Sequence, residues 1–248
     1  MSKVVLSFSG GCDSTTLLYK YLHEEETSEI YLVSLDYGQR HRKELEYARS
    51  HVEWLRTQKF GKKIKDHKFL NIDLRQFGND SVLVSDNPVP DQADDKQTST
   101  VVPYRNTLFM ILVASQAKAV GASRVASSPV LADYLSYLDC RPLFFVALQN
   151  ALRASGDVPD LVIETPFITW HKKDIISLGT SLGLDYNKTW TCYRGKEEPC
   201  GVCDSCQERV QSFYEASLID PIYSMEDWSR VVEIYKRSNL YKEFNISA

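Results

Sequence analysis

The stretch that decides the fold is Val4-Val5-Leu6-Ser7-Phe8-Ser9-Gly10-Gly11-Cys12-Asp13-Ser14-Thr15-Thr16-Leu17-Leu18. It predicts a short buried strand, a tight turn built on two glycines, and a helix entered through small hydroxyl residues. Glycine lets a backbone turn sharply and come close to a ligand. The first amides of a helix have no intrahelical acceptor and favour anions. The stretch therefore predicts an anion-binding turn at the end of a strand.

The side chains of this turn suit a nucleotide phosphate. Hydroxyl groups supply donors, and the carboxylate of Asp13 is placed to hold a Mg²⁺ ion that bridges phosphates. No Gly-Lys-Ser/Thr follows the glycines, so the turn is not a Walker loop. An ordinary strand-to-helix turn is the alternative that two glycines alone leave open. The predicted nucleotide-binding residues of the turn are Ser7, Ser9, Gly10, Gly11, Cys12, Asp13, Ser14 and Thr15.

Length and composition favour one large α/β domain, alone or with a small appendage. The chain has 248 residues with 43% hydrophobic and 25% charged content, which are ordinary globular values. A net charge of −4 gives no support to a nucleic-acid-binding or anionic-membrane surface. No apolar run approaches the roughly 20 residues that span a bilayer. The N-terminus lacks the apolar core of a signal peptide, so we expect a cytoplasmic protein.

The apolar pattern alternates between strands and helices along most of the chain. Such alternation favours right-handed βαβ units and a mainly parallel sheet. The polar segment 85–100 is predicted as either a surface linker or a lid over a site. After the first strand, further strands are predicted at 30–36, 65–74, 124–127 and 161–167. Helices are predicted at 15–23, 42–58, 107–120, 143–154, 172–182, 204–216 and 225–238.

Four of the six cysteines fall in one short segment, Cys192-x7-Cys200-x2-Cys203-x2-Cys206. In a chain of this class such clustering favours a metal site over disulfides. Four thiolates at these spacings can close a tetrahedron around Zn²⁺ with no open position, which marks a structural site. An iron–sulfur cluster and a chance cluster of free thiols are the alternatives.

Six motifs, in order, resemble the 7-cyano-7-deazaguanine synthase family, the QueC-like branch of the ATP pyrophosphatases with an SGGxDS pyrophosphate loop. The resemblance covers residues 3–223. The motifs are Ser9-Gly10-Gly11-Cys12-Asp13-Ser14-Thr15, Asp36-Tyr37-Gly38-Gln39-Arg40-His41, Thr100-Val101-Val102-Pro103-Tyr104-Arg105-Asn106, Asp139-Cys140-Arg141-Pro142, Thr189-Trp190-Thr191-Cys192-Tyr193 and Cys200-Gly201-Val202-Cys203-Asp204-Ser205-Cys206.

The resemblance implies a Rossmann-like, doubly wound sheet, an ATP site at the turn, a zinc-bound helical segment near the C-terminus, and a homodimer. It also implies that ATP adenylates 7-carboxy-7-deazaguanine and that ammonia captures the activated acid to give a nitrile. Motif position assigns Asp13, Arg105 and Lys172 to catalysis. Arg40 and His41 are predicted as further cations at the ATP site. The predicted substrate-binding residues are Asp133, Tyr134, Tyr137, Asp139 and Arg141.

The chain departs from the family pattern around the predicted substrate turn, 128–144. Val130 stands where a polar residue is usual, and Leu143 where an acidic one is usual. Two further hypotheses follow. One is a diverged antiphage-defence relative that joins the activated deazaguanine to an amine of a partner protein. The other is a non-catalytic nucleotide-binding module. The predicted divisions are 1–185 for the ATP-pyrophosphatase domain, 186–223 for the zinc segment and 224–248 for a helical extension.

Overall fold

The computed structural model describes residues 2–78, 80–91, 100–238 and 241. Five strands form one parallel sheet: β1 (Ser2–Ser7), β2 (Thr27–Asp36), β3 (Ile64–Asn71), β4 (Arg124–Ala126) and β5 (Val162–Glu164). Their spatial order is β3-β2-β1-β4-β5, and every neighbouring pair is parallel. The predicted α/β fold with a parallel sheet is confirmed.

Eight α-helices lie within the described ranges. They are α1 (Cys12–His23), α2 (Lys43–Thr57), α3 (Arg105–Val120), α4 (Leu131–Ser136), α5 (Pro142–Ala154), α6 (Lys172–Ser181), α7 (Asp204–Glu215) and α8 (Met225–Arg237). Short 3₁₀ turns occupy Phe60–Lys63, Leu74–Phe77, Leu138–Cys140 and Tyr186–Lys188. Within the described ranges, no helix combines the length and the apolar character needed to cross a bilayer.

Helices cover both faces of the sheet because successive residues of a strand point to opposite sides. Val4 and Leu6 of β1 belong to a core that also contains residues of α1, α2, α6, α7 and α8. Val5, between them, belongs to a second core built with α3 and α5. This is the doubly wound arrangement implied by the resemblance.

The strand order places a crevice at the carboxyl end of β1. The chain runs from β1 to β2 and β3 on one side, then crosses to β4 and β5 on the other. Ligands of open α/β sheets bind where the order reverses in this way. In this fold that point lies between β1 and β4.

The predicted elements differ from the structure mainly at their ends. Helix α1 begins at Cys12 rather than at residue 15, because small residues continue the helix directly after Gly11. The predicted substrate turn, 128–144, contains α4, and the Asp133 carboxylate accepts the Val130 amide at 3.0 Å where this helix starts. Of the predicted linker or lid, residues 92–99 lie outside the described residues.

The C-terminal helices share their packing with the sheet. Val210 and Phe213 of α7 and Val231 of α8 lie in the same core as Val4 and Leu6 of β1. The division into segments 1–185, 186–223 and 224–248 stays a prediction, and the three segments meet in this core.

Candidate active site

The crevice between β1 and β4 is a cavity of about 300 Å³. Ser7 and Ser9 line it where β1 ends, and Ser127 to Pro129 line it where β4 ends. The starts of α1, α2, α3 and α6 also reach it, together with one side of α7. The cavity therefore collects side chains from almost the whole length of the chain.

The turn after β1 has the geometry of an anion cradle. Gly10 has φ +88°, and a Cβ there would lie 2.6 Å from the Glu44 carbonyl oxygen, so only glycine fits. The Ser9 hydroxyl accepts the Gly11 amide at 3.2 Å and lies 3.0 Å from the Ser14 hydroxyl. Because the N-cap of α1 is Gly11, no described side chain caps that helix. The first amides of α1 can therefore meet an anion.

Beside this turn, the side chain of Lys172 lies between two carboxylates. Lys172 Nζ, on the first residue of α6, is 2.8 Å from Glu208 Oε2 and 3.9 Å from Asp13 Oδ2. Burial raises the pKa of Asp13 to about 6, although Lys172 acts against this. Burial opposes charge on Lys172 too, but Glu208 and Asp13 outweigh it and hold its pKa well above the usual value. The amine is thus a fixed positive charge at the mouth of the anion cradle.

A second polar group lies at the start of α2. His41 Nε2 is 3.5 Å from Glu44 Oε1, and the Gln39 amide donates to the same oxygen at 3.2 Å. Burial, reinforced by the charge of Arg105, lowers the pKa of His41 to about 3. The ring is neutral at physiological pH. Burial therefore disfavours the positive charge predicted for His41, and the residue does line the cavity.

Most of the predicted nucleotide-binding and catalytic residues converge here. Gly10 and Thr15 form the base of the turn, where the buried Thr15 hydroxyl donates to the Gly11 carbonyl at 2.7 Å. The predicted residues that line the cavity are Ser7, Ser9, Gly11, Cys12, Asp13, Ser14, His41, Arg105, Lys172, Asp133 and Tyr137.

Besides Gly10 and Thr15, four predicted nucleotide- or substrate-binding residues are not among those that line this cavity. The guanidinium of Arg40 donates to the Ser85 carbonyl at 2.8 Å, because the chain of 81–85 packs over it. Arg141 turns back on its own segment, 5.9 Å from the Tyr134 ring. Asp139 lies in the 3₁₀ turn Leu138–Cys140, of which Cys140 faces the cavity. The ligand-binding roles of Arg40, Tyr134, Asp139 and Arg141 therefore stay predictions.

Several cavity residues were not predicted as site residues. Glu208 is two positions beyond the last clustered cysteine and reaches Lys172 because α6 packs against α7. Glu44 is one helical turn after His41, and this spacing is the one local signal that could have found it. Tyr37, Thr100, Asn106, Trp190 and Tyr193 belong to the quoted motifs but were not predicted as site residues, and they line the cavity. Phe109 and Arg209 lie outside those motifs and line it too.

The four clustered cysteines converge as predicted. Their sulfur atoms all lie within 4.8 Å of one another, and Cys200 Sγ is 3.9 Å from Cys206 Sγ. The amides of Cys200 and Cys203 point at the sulfurs of Cys192 and Cys200, each at 3.4 Å. These four thiols form a site that could hold a metal ion.

The short segment 189–192, which we call the strap, joins the cysteine cluster to the anion cradle. The Trp190 amide donates to the Gly10 carbonyl at 3.1 Å, and the Trp190 indole donates to the Cys192 carbonyl at 3.1 Å. Arg209 holds the strap from behind by donating to Thr189 Oγ1 at 3.0 Å. Its charge is balanced by the fully buried Asp220 at 2.6 Å. The position of the turn therefore depends on the cysteine segment.

Comparison with known proteins shows the family of the chain. The family model described as queuosine biosynthesis protein QueC matches residues 3–217. The chain belongs to the QueC family. It is 37% identical over 229 residues to the 7-cyano-7-deazaguanine synthase of Trichodesmium erythraeum, covering 89% of this chain and 99% of that one. It is 36% identical over 247 residues to the synthase of Thermoplasma volcanium, covering 97% and 96%.

Solved structures with a similar arrangement include NMN synthetase from Francisella tularensis. That match has a TM-score of 0.49 and 14% identity, and it covers 95% of this chain and 84% of the other. A second is the U34-tRNA thiolase NcsA from Methanococcus maripaludis with its [4Fe-4S] cluster, at a TM-score of 0.46 and 15% identity. That match covers 95% of this chain and 72% of the thiolase.

The buried Glu44 carboxyl of this QueC family member leads us to predict that the stability of the folded protein depends on pH. Burial raises the pKa of Glu44 to about 8. Between its ordinary value of 4.5 and 8, the unfolded chain has lost this proton while the folded chain keeps it. The folded state therefore loses about 1.4 kcal/mol of stability per pH unit in that window. We expect Glu44→Gln to raise the melting temperature at pH 8 and to have little effect at pH 4.5. Equal melting temperatures of the variant and the unaltered protein at pH 8 would contradict this.

Proposed function

We propose that this chain uses ATP to adenylate 7-carboxy-7-deazaguanine and that ammonia captures the activated acid. A second ATP then activates the resulting amide, and loss of AMP leaves 7-cyano-7-deazaguanine. The observation that carries the proposal is the pyrophosphate-type turn after β1, which opens into a cavity that also contains Lys172 and Arg105. Two further observations support the proposal: the chain belongs to the QueC family, and it is similar to proteins named 7-cyano-7-deazaguanine synthase.

The chemistry needs charge neutralisation and alignment more than covalent catalysis. A carboxylate is a poor electrophile, and attack on the α-phosphorus of ATP converts it to an anhydride with AMP as leaving group. Phosphoryl chemistry of this kind is accelerated by donors and cations fixed where charge develops. The amides of α1 and the Ser9 and Ser14 hydroxyls would receive the pyrophosphate. Lys172 and Arg105 would offset the charge on the phosphates and the acid.

The Asp13 carboxylate fits the predicted magnesium ion. It is a hard oxygen ligand at the first turn of α1, beside the hydroxyls that would hold the phosphates. A Mg²⁺ ion bound there would offset the negative charge of the pyrophosphate. With a pKa of about 6, Asp13 is ionised above neutral pH, as a metal ligand must be.

The deazaguanine would lie against the predicted substrate turn. Asp133 and Tyr137 line the cavity on that side, and the Tyr137 hydroxyl is 2.8 Å from Thr100 Oγ1. One Asp133 oxygen already accepts the Val130 amide, so its second oxygen is the one offered to ring N–H groups. Tyr37 and Phe109 add aromatic surface for a flat heterocycle.

The cysteine cluster fits Zn²⁺. Zinc–sulfur bonds of about 2.3 Å place the sulfurs of a tetrahedron roughly 3.8 Å apart. The Cys200–Cys206 separation of 3.9 Å matches that edge and leaves room for a single ion rather than for a multi-iron cluster. All four ligands come from the chain, so the ion would be structural.

A second acceptor for the activated acid is an amine of a partner protein. The observation in its favour is an exposed apolar surface beside the altered substrate turn, formed by Leu138, Leu143 and Val146. Leu138 and Leu143 are 74% and 77% exposed, and large apolar side chains this exposed suit an interaction site. The homodimer implied by the resemblance would use the same surface. A cytoplasmic location, predicted from the sequence, suits an enzyme that draws on ATP.

Product analysis tests the proposal directly. The purified chain is incubated with ATP, Mg²⁺, 7-carboxy-7-deazaguanine and ammonium, and the products are identified by mass spectrometry. We expect AMP and pyrophosphate to appear only with the acid present, together with the amide and nitrile. AMP without nitrile, and a mass increase on a co-expressed protein, would favour the protein acceptor. No AMP under any condition would overturn the adenylation itself.

A further inference from the structure

The amine of Lys172 lies closer to one of its two carboxylate neighbours than to the other. Its Nζ atom is 2.8 Å from Glu208 Oε2, which is a hydrogen bond. The same atom is 3.9 Å from Asp13 Oδ2, which is beyond hydrogen-bond range. All three side chains line the cavity, so the unequal distances belong to the part of the structure that a ligand meets.

The packing of three helices explains how one amine comes to have these two neighbours. Lys172 is the first residue of α6, and α6 packs against both α1, which carries Asp13, and α7, which carries Glu208. A lysine side chain has a flexible four-carbon stem, so its amine could turn toward either carboxylate. In the structure it is bound by the carboxylate of α7 and stops short of the carboxylate of α1.

The Asp13 carboxylate is left open as a result. Among the residues that the structure describes, none donates a hydrogen bond to it, and its side chain is 26% exposed. Asp220 shows the opposite arrangement. Its oxygens accept two bonds from Arg209 at 2.6 and 2.8 Å and one from the Ile222 amide at 3.2 Å. Asp220 is enclosed by protein donors, whereas Asp13 keeps its oxygens for a ligand.

A direct contact between Lys172 and Asp13 would close this opening. An ammonium group and a metal ion compete for the same carboxylate oxygens, because opposite charge holds both of them there. The attraction between the two side chains grows as their separation falls from 3.9 Å to the roughly 2.8 Å of a charge-assisted hydrogen bond. Glu208 offers the amine a partner on the other side and so opposes this contact.

We propose that Glu208 is a positioning residue that holds the Lys172 amine off Asp13 and thereby leaves the Asp13 carboxylate free to bind the Mg²⁺ ion that accompanies ATP. The inference rests on the proposed function, because that function assigns Mg²⁺ to Asp13. Glu208 acts through Lys172 and is not itself a ligand of the metal. It also keeps the positive charge of the amine beside the anion cradle.

Nucleotide binding with and without Mg²⁺ tests this role without relying on turnover. The ligand is α,β-methylene-ATP, an analogue that cannot be cleaved between the α- and β-phosphates. Its dissociation constant is measured by calorimetry at saturating Mg²⁺ and in buffer from which Mg²⁺ is omitted, and the ratio of the two constants gives the contribution of the metal. The variant is Glu208→Gln, which keeps the size of the side chain and an acceptor for Lys172 but removes the charge.

We expect Glu208→Gln to lower the enhancement of binding by Mg²⁺ about tenfold, the size expected for one hydrogen bond to a charged group. Binding without Mg²⁺ should not weaken, because the change removes a negative charge near the phosphates. A general loss of structure would instead weaken binding under both conditions.

Glu215→Gln is the matched control for the loss of a carboxylate. Glu215 is the last residue of α7, accepts a hydrogen bond from the Gln211 amide at 2.7 Å, and lies outside the cavity lining. We expect the ratio of its two dissociation constants to equal that of the unaltered protein.

A second background separates an action through the amine from a direct action on the metal. In Lys172→Met there is no amine to hold off Asp13, so adding Glu208→Gln should leave the effect of Mg²⁺ on nucleotide binding unchanged. The comparison of the two backgrounds is a double-mutant cycle, in which full coupling is the expected result.

Three outcomes would overturn the inference. An unchanged effect of Mg²⁺ in Glu208→Gln would show that Asp13 stays open without Glu208. An equal loss in the Lys172→Met background would show that Glu208 acts on the metal directly. If nucleotide binding by the unaltered protein does not respond to Mg²⁺, the Mg²⁺ site of the proposed function is wrong, and this inference is wrong with it.

Discussion

Asparagine in place of Asp13 is expected to abolish AMP formation, with a loss of at least about 10³-fold. The change removes the carboxylate that we propose as the Mg²⁺ ligand at the anion cradle. It also removes one of the two near partners of Lys172, whose contact with Glu208 at 2.8 Å remains. Because burial already disfavours charge on Asp13, its replacement leaves the fold intact. The measurement is release of labelled AMP from ATP, together with a thermal unfolding curve.

Asp174→Asn is the control for this experiment. Asp174 is an exposed carboxylate in the first turn of α6, two residues from Lys172 and outside the cavity lining. It tests whether any loss of negative charge near this helix lowers the rate. Turnover by Asp13→Asn at the rate of the Asp174→Asn protein would remove Asp13 from the mechanism.

Serine in place of Cys203 is expected to release the metal and to lower the free energy of unfolding by several kcal/mol. Structural zinc sites bind with apparent free energies of about 10 kcal/mol, and this energy contributes directly to folding. Cys203 is fully buried, and α8 packs on the same segment, where Val231 lies against Gly201. The measurements are metal content by mass spectrometry and the melting temperature.

The strap at 189–192 predicts a second consequence of the same substitution. Since the Trp190 amide is bonded to the Gly10 carbonyl, disorder of the cysteine segment should also weaken ATP binding. Cys140→Ser is the control, because Cys140 is a buried thiol outside the cluster. It should keep one metal ion per chain. A Cys203→Ser protein without metal and with an unchanged melting curve would contradict a structural site.

Local sequence was sufficient for the elements whose contacts are themselves local. The run from Val4 to Leu18 encodes a strand, a turn and a helix through residue types and spacings within the run, although Val4 and Leu6 then pack against distant helices. Cys200, Cys203 and Cys206 are similarly fixed by two short intervals. The alternation of strands and helices gave the parallel sheet for the same reason, since crossover units are short and have one hand.

Sequence reasoning was less reliable where it relied on motif position alone. Arg40 and His41 are adjacent, yet the first bonds to the Ser85 carbonyl and the second enters the cavity as a neutral ring. Tyr134 and Arg141, both predicted at the substrate, lie beside each other, with the Arg141 guanidinium 5.9 Å from the Tyr134 ring. Neighbours in a motif point in different directions, and packing decides which of them a ligand meets.

The sequence by itself determined the anion-binding turn, the parallel α/β sheet and the convergence of the four cysteines. Only the tertiary structure decided that Glu208 meets Lys172, that Trp190 holds Gly10, and that His41 reaches the cavity uncharged beside Glu44. The reason is physical: a turn or a short cysteine interval is specified by residues a few positions apart. Contacts across 36 or 180 positions, and the burial that sets a pKa, exist only once helices have packed on the sheet.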